Sequence, residues 1–136
     1  MSEEGFSLEE TYVHLGLGSV AVPLPEFTWD ERQLEEYTRR FESDGAEGRL
    51  VCVTPQSETW DFWERHPGGD ELVVLLSGRV EVIQDLPQGP RTVVLLPGQA
   101  MINPKGTWHT SDVHEPGLAL FVTPGAGTEH RGRAGI

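Results

Sequence analysis

Glu64-Arg65-His66-Pro67-Gly68-Gly69-Asp70-Glu71 and Pro104-Lys105-Gly106-Thr107-Trp108-His109, whose final residue lies 43 beyond His66, carry most of the structural information in this chain. Along an extended strand the side chains of Glu64 and His66 point to the same side, and the Pro-Gly-Gly turn lets the chain double back to bring Glu71 beside them. With His109 from the second stretch, two imidazoles and two carboxylates can share one pocket. Such a set suits a borderline divalent ion such as zinc, iron, manganese or nickel better than calcium or magnesium. The competing reading is a polar cluster satisfied by hydrogen bonds or water. Burying two carboxylates without a cation costs several kcal/mol or forces protonation, which favours an ion. Asp70 can stand in for Glu71 as the carboxylate, but neighbouring residues of a strand face opposite ways, so at most one of them enters the pocket.

Outward from these stretches, short β-rich runs alternate with turn residues at intervals of roughly 8–12, the rhythm of an all-β sandwich or barrel. The expected strands are 49–54, 58–65, 71–76, 79–85, 91–96, 99–103, 107–112 and 118–123. Leu96-Pro97-Gly98-Gln99 has the pattern of a type II turn, with Pro second and Gly third, and Asn103-Pro104-Lys105-Gly106 that of type I. Ser77-Gly78 reads as a tight hairpin, and Leu86-Pro87-Gln88-Gly89-Pro90 as a longer loop.

One helix is expected, over 30–43, where Leu34, Tyr37 and Phe41 share a face. Asp30 with Gln33 forms a capping box at its start, with Trp29 and Leu34 as the flanking staple. Two strands, 11–15 and 19–22, precede it and belong at a sheet edge or against a second subunit. The organisation is one domain: residues 1–47 hold N-terminal strands and helix packing on a barrel, 48–124 the barrel, and 125–136 a flexible tail in which Arg131 and Arg133 are solubilising charges.

The two stretches resemble the motifs of the cupin superfamily, G-x5-H-x-H-x3,4-E-x6-G and G-x5-P-x-G-x2-H-x3-N. In the second, Gly98, Pro104, Gly106 and His109 fall at the required intervals; in the first, His66, Glu71 and Gly78 do. The resemblance covers about residues 58–113. It implies a double-stranded β-helix, the cupin jelly-roll barrel, with a metal held by Glu64, His66, Glu71 and His109, and its interval favours Glu71 over Asp70. It also implies a homodimer, which would cover an apolar edge. Three positions depart from the pattern: Glu64 replaces the first histidine, Glu58 the opening glycine and Val113 the closing asparagine. Two carboxylates neutralise a 2+ ion, where three histidines and one glutamate leave it at +1. The ion is then a weaker Lewis acid.

Composition narrows the partners. Ten Lys and Arg against 22 Asp and Glu give a net charge of −12, which repels phosphate backbones and anionic membranes. Neither nucleic acid nor a membrane is an expected partner. A chain of this length buries roughly 68–70% of its unfolded surface and can fold without disulfides. The lone Cys52 lies in the apolar run Leu50-Val51-Cys52-Val53, has no basic residue close in sequence, and fits a reducing, cytoplasmic setting. The acidic N-terminus has no secretory pattern, and no apolar run reaches membrane-spanning length.

Trp60 and Phe62 share parity with Glu64 and His66 and are the candidate walls of a small-molecule pocket; core packing is the alternative. Trp63 and Trp108 have the opposite parity and belong between sheets or at a subunit contact. His114 opposes His109 in parity, so it needs a bulge to reach the pocket. His14 and His130 have no partners near in sequence and read as surface residues, and Arg65, Arg79 and Arg91 as exposed strand faces. Gly16-Leu17-Gly18-Ser19 lacks the helix and Lys-Ser/Thr of a phosphate loop. With no nucleophile in view, the expected function is that of a metal-dependent enzyme acting on a small organic molecule, of oxygenase or isomerase/lyase type. A non-catalytic protein that binds or senses a small ligand is the alternative, and a barrel stiffened by metal is a third.

Overall fold

Strand β5 (Glu71–Leu75) buries Glu71, Val73 and Leu75 and exposes Leu72, an alternation that gives its sheet one core face. The computed structural model describes residues 5–124 and 127–134. Around β5 stand β1 (Tyr12–Gly16), β2 (Val20–Leu24), β3 (Arg49–Gln56), β8 (Ala100–Asn103) and β10 (Gly117–Pro124). They form one antiparallel sheet in the order β2-β1-β3-β10-β5-β8. The second sheet, β11-β4-β9-β6-β7, is built from β4 (Phe62–Arg65), β6 (Arg79–Leu86), β7 (Gly89–Leu95), β9 (Trp108–Glu115) and β11 (Glu129–Gly132). Val73, Leu75, Met101 and Ala119 from the first sheet meet Val80, Val82 and Leu95 from the second, forming the core between them. Each valine, leucine or methionine among them contributes roughly 1.5–3 kcal/mol on burial.

Among the described residues the one α-helix, α1 (Glu31–Arg40), opens on the Asp30 half of the expected capping box, Asp30 Oδ1 accepting from the Gln33 N–H at 2.9 Å. Trp29, expected to staple to Leu34, donates its indole N–H to the Tyr12 hydroxyl at 2.9 Å. Tyr37 and Phe41 pack with Leu24 and Leu50, which seats the helix on the edge formed by β1 and β2. No helix among the described residues is long and apolar enough to cross a membrane.

Several local expectations change. Ser77-Gly78 is not a hairpin but the corner at which the chain leaves the first sheet for the second: β5 pairs β10 and β8, whereas β6 pairs β7 and β9. Gly78 has φ 85, and a Cβ there would stand 2.5 Å from the Glu115 carbonyl oxygen. A Cβ on the facing Gly117 would stand 2.0 Å from that of Ser77, so the corner closes only without side chains. The expected long loop at 86–90 shrinks to Pro87-Gln88, because Leu86 and Gly89 pair directly. Pro97-Gly98 turns as expected, with Gly98 at φ 88 and the Gln99 N–H on the Leu96 carbonyl at 3.0 Å. The other turn lies one residue later than expected: the Thr107 N–H bonds the Pro104 carbonyl at 3.0 Å, and Gly106 takes the third place with φ 72. Its own N–H donates to the His66 carbonyl at 3.1 Å, tying the two motifs together.

His14, expected on the surface, is 1% exposed. Its ring stacks on Phe41 at 3.6 Å, with Nδ1 2.6 Å from the Tyr37 hydroxyl and Nε2 2.6 Å from Asp44 Oδ2. Both partners come from the helical region, 23 and 30 residues away, beyond the reach of local sequence. Of the segment 125–136, expected to be a flexible tail, residues 129–132 form β11, which pairs residue by residue with β4 from Glu129↔Arg65 to Gly132↔Phe62, and 125–126 and 135–136 lie outside the described residues.

Candidate metal centre

Three strands converge on the cluster. Glu64 lies on β4 directly opposite His109 on β9, His66 follows the end of β4, and Glu71 opens β5 in the other sheet. His66, Glu71 and His109 are 3%, 2% and 2% exposed, and one ligand atom from each of the four residues falls within 4.8 Å of all the others. His66 Nε2 is 3.1 Å from both Glu64 Oε1 and Glu71 Oε2. His109 Nε2 is 3.6 Å from Glu64 Oε1 and 3.4 Å from Glu71 Oε1. Around an ion with bonds of about 2.1 Å, adjacent ligands are about 3.0 Å apart in an octahedron and about 3.4 Å in a tetrahedron. The four nitrogen–oxygen separations fall near these values, with Glu71 offering Oε2 to His66 and Oε1 to His109. Both Nε2 atoms are buried and, despite the nearby carboxylates, have no partner of hydrogen-bond geometry. The four residues can therefore hold a metal ion.

A second layer fixes the first. The Thr107 carbonyl lies 3.3 Å from His109 Nδ1 and can only accept, so Nδ1 donates to it and Nε2 is turned to the centre. His66 Nδ1 is 2.9 Å from the Thr128 hydroxyl. Asn103 Nδ2 donates to Glu71 Oε1 at 3.0 Å and Thr123 Oγ1 to Oε2 at 2.7 Å. Gln84 Nε2 donates to Asn103 Oδ1 at 2.9 Å, extending the chain into β6. Glu64 Oε2 is engaged by His130 at 2.7 Å.

The charges respond to this crowding. Burial would raise the Glu64 carboxyl pKa, but His109 and His66 hold it well below the usual range. Burial would lower that of His66, but Glu64 and Glu71 bring it up to about 9. Burial, helped by the charges of Glu71 and Glu64, pushes the Cys52 thiol up to about 12, which leaves it inert.

The remaining candidates lie outside the cluster. Asp70 is exposed and accepts from the Lys105 N–H at 2.7 Å, clasping the two motif loops together. A bulge does occur at His114, between the pairs Arg79↔Glu115 and Val80↔Val113, yet its imidazole turns to Glu81 at 3.4 Å. Trp60 and Phe62 stack at 4.7 Å; Trp60 lies 6.1 Å from the His109 ring and Phe62 5.4 Å from that of His130. A cavity of about 20 Å³ beside Trp60 is lined by Trp60, Val73, Asn103, His109 and Phe121 among others, room for about one water. Trp63 and Trp108, expected between sheets or at a subunit contact, carry Arg131, whose guanidinium sits 5.4 and 4.5 Å from their rings. Arg131 also pairs with Asp85 and Arg133 with Asp112, so neither is a free solubilising charge. His130, expected on the surface, is half-exposed but engaged at Glu64. It, Thr128 and Thr123 are members of the site that sequence reading missed, since pairing across strands alone brings them there.

Residues 49–123 match the family model described as a cupin domain. No curated protein matches the chain. Among solved structures, the chain is similar to the Bacillus subtilis oxalate decarboxylase studied for its Mn(II) centres, with TM-score 0.53, 14% identity and coverage of 70% of this chain and 26% of that one. It is also similar to a cupin-2 domain protein from Shewanella frigidimarina NCIMB 400, at TM-score 0.48 and 17% identity, over 56% of this chain and 70% of that one. Hydroquinone 1,2-dioxygenase from Sphingomonas sp. TTNP3 aligns at TM-score 0.47 and 17% identity, over 55% of this chain and 58% of the enzyme. The chain thus spans about a quarter of the decarboxylase and little more than half of the dioxygenase. With the family model matching more than half of its length and two antiparallel sheets meeting in one core, the chain belongs to the cupin family.

Proposed function

We propose that this cupin binds one divalent transition-metal ion, zinc, iron, manganese or nickel, through Glu64, His66, Glu71 and His109, and that it is a metal-dependent enzyme acting on a small organic molecule. The observation that carries the reading is the pair of buried, unpartnered Nε2 atoms converging with two carboxylate oxygens at ligand-shell spacing. When bound, such an ion supplies Lewis-acid polarisation of a carbonyl or enolate, or activation of dioxygen. The chain's own residues supply the frame. Asn103 and Thr123 hold both oxygens of Glu71 and keep it turned inward, and the Thr107 carbonyl orients the His109 ring through Nδ1 so that Nε2 faces the centre. Trp60 and Phe62 provide an apolar wall that excludes water on one side. Because the interior space beside His109 is only about 20 Å³, an organic substrate approaches from the Glu64 side, where the carboxylate is 18% exposed. Oxygenase and isomerase/lyase chemistry both fit this frame.

That small space favours one other reading, a barrel that holds its ion without turnover. Metal analysis by plasma mass spectrometry on untagged protein is the first test. About one equivalent of a transition metal, absent from Glu64→Ala and His109→Ala, supports the site, and substrate-free exchange of bound water measured by relaxivity then separates an open centre from a closed one. Absence of metal after reconstitution with all four ions rejects it and leaves a metal-free ligand-binding cupin. Homodimerisation, with exposed Leu72 and Ile102 as supporting features, is tested by sedimentation. A cytoplasmic location, suggested by the lone buried thiol, is tested by cell fractionation.

A further inference from the structure

We propose that His130 of the C-terminal strand is a positioning residue that limits Glu64 to a single inward-facing oxygen. The inference rests on the metal reading above. His130 on β11 stands directly opposite Glu64 on β4, and its Nε2 lies 2.7 Å from Glu64 Oε2. An ionised carboxylate only accepts, so the imidazole N–H donates. Glu64 Oε1 faces the other way, 3.1 Å from His66 Nε2 and 3.6 Å from His109 Nε2. The two oxygens of one carboxylate thus have separate tasks, one toward the centre and one toward the C-terminal strand.

His130 holds its place because β11 is pinned along its length. Arg65 pairs with Glu129 at 3.1 Å, Arg131 with Asp85 at 3.1 Å and Arg133 with Asp112 at 2.8 Å. The Arg133 N–H donates to the Asp61 carbonyl at 3.1 Å, and the Arg131 guanidinium lies 4.5 Å from the Trp108 ring. From the same segment, Thr128 reaches His66 Nδ1 at 2.9 Å. Two of the four candidate ligands are therefore oriented by residues 128–130, outside both motifs. Glu71 needs no such help, since Asn103 and Thr123 already engage both of its oxygens. Freed from His130, the Glu64 carboxylate can rotate about its terminal bond, which disperses the ligand geometry and allows both oxygens to approach the ion, filling a position otherwise open to substrate.

The test uses the full chain carrying His130→Ala or His130→Gln, with Mn²⁺ and Zn²⁺ affinities from chelator competition and the visible absorption of bound Co²⁺ as a report on coordination. Loss of an outer-layer partner weakens metal binding by about 10–100-fold. His130→Ala is expected to bind one equivalent at saturation with Kd raised in that range and with a changed Co²⁺ spectrum. His130→Gln is expected to recover most of both, because its amide nitrogen sits the same number of bonds from Cα as Nε2 of histidine. The apo melting temperature is expected to stay unchanged, as the imidazole is 55% exposed. Wild-type Kd and an unaltered Co²⁺ spectrum in His130→Ala, in a chain whose wild-type form binds one ion, overturn the positioning role alone. A wild-type chain that takes up no ion overturns the metal reading and this inference with it.

Discussion

The chain buries imidazoles in two places, and the two are built on opposite principles. Under helix α1, His14 has both ring nitrogens engaged, Tyr37 on one side and Asp44 on the other. At the other cluster, His66 and His109 have their outer nitrogens engaged and their inner ones, both Nε2, buried without a hydrogen-bond partner. A buried polar group with all its bonds made is a structural fastener, whereas one held in place from behind and left open in front is arranged for a ligand. Carboxylates are close to both, so acidity does not distinguish them. The direction of the unpaired nitrogen does.

Reciprocal substitutions break the comparison most sharply. His109→Ala is expected to remove the metal while leaving a folded sheet pair, read by metal analysis beside circular dichroism. His14→Ala is expected to keep the metal and lose roughly 3 kcal/mol of stability in urea, since it strands the buried Tyr37 hydroxyl and opens a void against Phe41. A His14→Ala protein of unchanged stability would sink the fastener assignment.

Gly106→Val comes next. With φ 72 at Gly106, the variant strains the turn by about 1–3 kcal/mol and disturbs the bond to the His66 carbonyl. Both the melting temperature and metal content should fall, whereas Gly98→Val, at φ 88 in a turn distant from His66 in sequence, should lower only the former.

A smaller effect comes from pH. In the metal-free protein the His66 pKa is raised to about 9 from 6.5, so the stability it contributes is complete below pH 6.5 and is lost as pH rises through 9. Glu64 is shifted down, so its contribution is present above 4.5 and lost as pH falls. Because coordination needs the His66 proton removed, metal affinity should rise with pH between 6.5 and 9, with proton release on binding measurable by calorimetry in buffers of different ionisation enthalpy. The fastener has the sign of Glu64. His14 holds the Asp44 carboxyl below its usual 3.8, so that contribution is lost only on acidification. The smallest effect belongs to His114→Ala: the imidazole is exposed beside Glu81, and metal content should be unchanged with stability within about 0.5 kcal/mol.

The candidate ligands were legible because three of them, Glu64, His66 and Glu71, lie within eight residues around a Pro-Gly-Gly turn, and the fourth follows a proline-glycine turn of its own. Strand alternation and turn chemistry act over a few residues and read directly from such stretches. The fold class and most strand positions followed for the same reason. Ser77-Gly78 misled because a turn-forming dipeptide says where the chain bends and not which sheet it joins next; that depends on the Gly117 backbone about forty residues on. His14 misled, and His130 is on the surface as expected yet meets Glu64 there, since an imidazole with no partner nearby in sequence looks the same whether it ends in solvent, under a helix or against a carboxylate.

Read alone, the chain yields an all-β class, the punctuation of its strands and four residues able to meet at one centre, because alternation and turn chemistry act locally, while the cupin assignment comes from its resemblance to the two motifs. Only the tertiary structure decided which nitrogen of each imidazole stays open, that the C-terminal segment returns as β11 to engage Glu64 and His66, and that His14 is buried. Those are matters of pairing between distant segments, whose register is set by the burial of whole sheet faces rather than by any one stretch.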